Sequence, residues 1–248
     1  EEREKAIAPH ERALSLDPKL YKEPASTRLV VAAYSLQDTE RLKAVVMRFR
    51  EELPDKPLPN NLLTWLGLQL YQNGDFDHAD TFLGLASNPD DAANTDLIVW
   101  RHLAKARIEL RHFERALKVI PFILDNEESA PLRADAYLDQ AHILVGLGRW
   151  EEARESAQEG LALDPKGAVL AGVLITLGDV AVYRKDFESA AAHFRRAAEL
   201  FPNDEEITPL SLARAADACE KNGQAAEAAK IRATLAKRFP SWKAPKPK

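Results

Sequence analysis

This chain of 248 residues is short of several features that would each point to a function. Its one cysteine, Cys219, can form no internal disulfide, so the fold is not stapled and the redox compartment stays open. Glycine is scarce, at ten residues, and none of it forms a phosphate-cradling loop or a G-x-S-x-G elbow. No apolar run approaches the roughly 18–20 residues that cross a bilayer, and neither a signal peptide nor an initiator Met opens the chain. A basic excess is also missing. The net charge of −5 argues against nucleic acid as a partner. What is present is ordinary for a globular chain, with 46% hydrophobic and 29% charged residues.

The order of those residues is not ordinary. Four stretches begin at Leu63, Trp100, Tyr137 and Leu174, each 37 positions after the last. Laid in register, Gly67, Ala104, Ala141 and Gly178 coincide, as do Ala79, Ala116, Ala153 and Ala190. So do Phe76, Phe113, Trp150 and Phe187. Weaker copies flank this block. One contains Gly223, Ala228 and Pro240, and the other contains Tyr34 with a polar break at Gln37-Asp38. One more step back places Ala6, Ala13 and Pro18 on second-helix positions. The expectation is a chain that starts midway through a repeat, as a fragment of a longer array.

The spacing predicts helical hairpins. In the copy from Tyr137, residues Tyr137, Gln140-Ala141 and Leu144 share one helix face, and Gly-Leu-Gly-Arg-Trp breaks the helix. Ala153, Ala157, Gly160 and Leu161 then form the facing stripe, and Asp164-Pro165 ends the unit. Small residues let the two helices approach, and the aromatic fills the space beside them. A single hairpin leaves apolar surface bare, so neighbours must stack.

This pattern resembles the tetratricopeptide repeat (TPR). Leu177-Gly178, Ala190, Phe194, Ala197 and Pro202 match its template, and Leu66-Gly67, Ala79, Leu83 and Ala86 match in part, as do Ala153, Ala157, Gly160 and Pro165. The step of 37 rather than 34 is a departure. The resemblance implies an all-α, right-handed α-solenoid, a superhelix of about six repeats behind a half-repeat at 1–20. The repeats are expected near 24–58, 60–94, 97–130, 134–168, 171–206 and 209–240. The Ala-, Lys- and Arg-rich last repeat reads as a polar cap. The tail 241–248 reads as disordered, with Trp242 docked back on the final helix. The Phe-Pro linkers at Phe201-Pro202 and Phe239-Pro240 are similar to those of bacterial cell-envelope repeat proteins, which tilts the expected location towards the envelope over the cytoplasm.

Candidate chemistry is sparse. His102 and His112, or Asp139 and His142, bring no third ligand for zinc, and Asn73–Asp80, with its acidic run from Asp75, lacks the sixth-position Gly and terminal Glu of a calcium loop. Asp75 and its acidic neighbours instead suit the start of a helix. Cys219 reads as a buried structural thiol and Met47 as core filler. The expectation is no enzyme, no metal and no cofactor.

What remains is a surface. In tetratricopeptide arrays the first helix of each repeat lines a concave groove. Carried across position by position, the resemblance puts Arg28, then Trp65, Leu68 and Tyr71, then Arg101, His102 and Lys105 in that groove. Asp135, Asp139 and His142 follow, then Asp179 and Tyr183, then Arg214 and Asp217. The Lys, Asn and Arg set of the chaperone-binding subclass is not met here beyond Asn61. These residues suit a peptide or protein partner with an apolar anchor and charges of both signs. The function expected is therefore a non-catalytic protein-interaction scaffold, monomeric if its ends are capped. The alternatives are a recruiting region of a larger enzyme or envelope assembly protein, or a self-assembly module.

Overall fold

In the computed structural model, which describes residues 7–16 and 18–244, the backbone enters the left-handed region at a fixed interval. It does so at Gln37 (φ 53°), Gly74 (78°), Arg111 (59°), Gly148 (73°) and Lys185 (61°), with Gly223 (75°) one residue later than the pattern, and each of these residues follows a helix end. Off the interval, Asp164 (53°) and Gly167 (56°) are also left-handed. Helix α4 (Asn60–Gln72) and helix α5 (Phe76–Ala86) show the local logic. The Gly74 N–H returns to the Tyr71 carbonyl and the Asp75 N–H to the Leu70 carbonyl, at 3.0 and 2.9 Å. These bonds satisfy carbonyls that a helix end otherwise leaves bare. The Asp75 carboxylate then accepts from the His78 N–H, capping α5. The acidic run at Asn73–Asp80 is a helix start. The same pair of bonds closes the turns at Gly148 and Lys185.

The chain forms two compact units, residues 1–106 and 107–248. The first contains α1 (Ile7–Leu16), α2 (Pro18–Leu36), α3 (Thr39–Glu52), α4, α5 and a 3₁₀ segment, Pro89–Asn94, before helix α6 (Leu97–Glu109). Each helix from α1 to α4 packs on the next. Ile7, Ala25 and Leu29 are buried together, and Leu42, Leu66, Leu70, Phe82 and Leu83 are closed to solvent. Ala6 and Asp17, read as parts of the leading half-repeat, lie outside the described residues.

The second unit contains α7 (Phe113–Leu117), α8 (Ile120–Asn126), α9 (Ala130–Gly146), α10 (Trp150–Ala162), α11 (Gly167–Tyr183), α12 (Phe187–Leu200), α13 (Ile207–Lys221) and α14 (Ala225–Arg238). From α9 on, every helix packs on its successor, and α9 meets α11 as α11 meets α13. Such stacking of consecutive hairpins is the α-solenoid class. In α12 the buried residues Ala190, Ala191, Phe194, Ala197 and Ala198 make one helical stripe. Cys219 is fully buried in the same cluster.

Two sequence expectations need correction. The second helix of the hairpin after α6 is broken between Leu117 and Ile120. Pro121 has no N–H to offer the Leu117 carbonyl, and its ring collides with that carbonyl in a continuous helix. Met47 is half-buried, not core. At the other end, 245–248 lie outside the described residues, and Ser241 lies in a turn. Trp242 is half-buried, and its backbone N–H donates to the Phe239 carbonyl at 3.1 Å.

Candidate functional site

In the first unit, the helices that open each hairpin shape a trough. Asn61, Trp65 and Leu68 follow at i, i+4 and i+7 on α4, so one face carries all three. Tyr34 comes from α2, and Ile98 from α6. Together they line a cavity of about 560 Å³. Trp65 is half-buried and meets the Tyr34 ring edge-on, 5.7 Å between centroids. The same helix buries Leu62, Leu63 and Leu66. The Asn60 and Asn61 amides are exposed and make no hydrogen bond among the described residues.

Further along the same helices, Tyr71 packs edge-on against His102 at 5.1 Å and against Phe76 at 5.5 Å. The His102 Nδ1 lies 2.8 Å from the Ile98 carbonyl, which orients the ring. Arg101 and Lys105 are half-buried and both are engaged by neighbours. Arg28 is exposed on α2, with no ion pair among the described residues.

In the second unit, Asp135 is half-buried, Asp139 is 7% exposed, and His142 is exposed, all on α9 and all engaged. Asp179 on α11 pairs directly with Arg214 on α13, whose guanidinium lies 5.9 Å above the Phe194 ring. Burial pushes the Asp179 carboxyl up, and Arg214 opposes that shift. Tyr183 is 57% exposed and stacks on Trp150 at 4.6 Å. Asp217 meets Arg232 at 2.9 Å.

The structure thus joins Trp65 to Tyr34, Tyr71 to His102, and Asp179 to Arg214. Tyr34, Asn60, Thr64 and Ile98 were missed as lining residues. The shared register of Tyr34 and Tyr71, one step of 37 apart, was the available signal. Among the described residues, no three His, Cys, Asp or Glu side chains converge as a metal would need. No described helix is long and apolar enough to cross a membrane.

Family models of the tetratricopeptide repeat match residues 102–168 and 171–204. The crystal structure of a MamA protein aligns with a TM-score of 0.59 at 16% identity, over 75% of this chain and 98% of that one. MamA from Desulfovibrio magneticus aligns at 0.52 with 20% identity, over 72% and 94%. A putative kinesin light chain of Podospora anserina, with TPR-like repeats, aligns at 0.57 with 18% identity, over 71% and 93%. These likenesses concern the fold. No curated protein matches by sequence. Residues 102–168 and 171–204 are thus tetratricopeptide repeats, and such repeats put the chain in the general class of protein-interaction scaffolds.

Proposed function

We propose that the first-helix face of the first unit binds a protein segment, with the Trp65 trough as its anchor point. The observation that carries this reading is the open cavity of about 560 Å³ lined by Trp65, Tyr34 and Leu68, beside two unbonded asparagine amides. A half-buried Trp in a preformed trough gains apolar burial when a side chain covers it. The Asn60 and Asn61 amides each offer a donor and an acceptor to an extended main chain. Arg28, Tyr71, Arg101, His102 and Lys105 flank the trough by template position. Asp135, Asp139, His142, Asp179 and Arg214 are the equivalent residues of the second unit. There Asp179 and Arg214 already satisfy one another, and Asp139 is buried, so the first unit is the stronger candidate. The role is non-catalytic recruitment.

Site-specific crosslinking tests this. With p-benzoylphenylalanine placed at Leu68, irradiation in the source cell should attach one partner, and Trp65→Ala should abolish the product. The triple change Arg101→Ala, His102→Ala, Lys105→Ala should weaken it. An equal yield from Ala229, exposed on α14, or a product indifferent to Trp65→Ala, would rule the trough out.

A further inference from the structure

A second, smaller cavity opens on the other side of Tyr34. It measures about 270 Å³ and is lined by Val30, Val31, Phe49, Pro57 and Leu58, with Tyr34 and Asn61 as the wall it shares with the trough. Its floor is apolar, and its mouth includes Thr27 and Lys56. At that size it falls just below the range of about 300–1,000 Å³ that accepts a drug-sized ligand. One branched or aromatic side chain enters it with room to spare. The linker that roofs it, Lys56-Pro57-Leu58-Pro59, carries two prolines, which fix their own φ and restrict the residue before each. Such a linker resists collapse, so the cavity is preformed.

The charges around the two cavities differ. Lys56 stands at the mouth of the small one and Arg28 follows Thr27 on α2; the acidic group there is Glu23, 2.7 Å from Lys56. That pair is about half exposed on both sides, so a competing carboxylate displaces Glu23 at small cost. The far end of the trough carries Asp96, whose carboxylate caps the Ile98 N–H.

Resting on the trough reading, we infer that the partner is an extended acidic segment that places two apolar side chains, at i and i+2, on either side of Tyr34. The smaller side chain enters the Val31–Pro57 cavity and the larger one covers Trp65. An acidic residue precedes the smaller anchor, beside Arg28 and Lys56. Side chains at i and i+2 of an extended segment stand about 6.7 Å apart on one face, a step that clears one intervening ring. The residue between them presents its main chain to the Asn61 amide. A helical segment has no main-chain groups left for that amide.

Selection of a random twelve-residue peptide library displayed on phage, against the whole chain in low salt, tests the inference. The enriched peptides should share an acidic residue, an aliphatic residue and, two positions on, an aromatic one. A fluorescein-labelled copy of the leading peptide, read by anisotropy, should bind Arg28→Glu about tenfold more weakly, with the gap closing at high salt. Thr27→Trp, which plugs the mouth, should cost more than that. Val31→Trp is the alternative plug, since Val31 is 62% exposed and its replacement leaves the core intact. If both plugs bind like wild type while Trp65→Ala does not, the two-anchor inference falls and the trough stands. Loss in the plugs with no effect of Trp65→Ala overturns the trough reading instead. Enrichment of basic peptides, or no enrichment at all, overturns both.

Discussion

Lys185 holds a backbone conformation that Gly148 holds 37 residues earlier, φ 61° against 73°. An L-residue there costs about 1–2 kcal/mol, whereas glycine adopts it freely but has more unfolded-state freedom to lose, about 0.5–1 kcal/mol. The first effect is larger, so Lys185→Gly should stabilise the chain by up to about 1 kcal/mol. Melting should rise by about 2–4 °C per kcal/mol, and Gly148→Ala should move the other way. A fall in melting temperature for Lys185→Gly would mean that the lysine contributes something beyond its backbone. Asp75 makes a pH-dependent contribution. Burial pushes its carboxyl up, but hydrogen bonds from His78 and Lys43 outweigh that and hold it below the ordinary 3.8. A carboxylate depressed in the fold stabilises above its unfolded pKa, and loses this as pH falls through the folded one. Asp75→Ala should therefore cost about 1 kcal/mol at neutral pH, the usual worth of a helix cap. The difference should narrow in urea titrations near pH 3.

Between elements of the second unit, the aromatic that opens a second helix closes on the end of the next hairpin's first helix. Phe113 lies where a Gly146 Cβ would be, 2.4 Å away. Trp150 stacks on Tyr183, and Phe187 lies 5.9 Å beneath Lys221. A double-mutant cycle of Trp150→Ala and Tyr183→Ala should return a coupling of about 0.5–1.5 kcal/mol; additivity would deny that the pair links hairpins. Within a hairpin, Gly178→Ala forces a Cβ to 2.5 Å from the Phe194 ring, which is 1% exposed and has nowhere to go. Overpacking of about 1–3 kcal/mol should exceed the helix preference of about 1 kcal/mol for alanine, so melting should fall. These contacts were legible in the sequence, because small and aromatic letters recur at one period. The break between α7 and α8 was not, since matching letters by register ignores the missing N–H of Pro121. The turns at Gln37, Arg111 and Lys185 were half hidden for a related reason. Their left-handed geometry is enforced by the bonds around them, without a glycine to announce it. Trp65 could be picked out by its template position. Its trough could not, because three helices distant in sequence supply the walls.

For the whole molecule, nearest-neighbour packing within each unit has a consequence for unfolding. A chain of two compact units, each stabilised by contacts between adjacent hairpins, should not melt in one two-state step. The calorimetric enthalpy should exceed the van't Hoff value, and equality would show a single cooperative block. The proposed function rests on Trp65 of the first unit, so the most direct measurement is titration calorimetry of the crosslinked partner against wild type and Trp65→Ala. The binding loss should reach at least about 2 kcal/mol, roughly 30-fold, as for a buried aromatic anchor. Equal affinity, with both proteins equally folded, would show that the partner is held elsewhere.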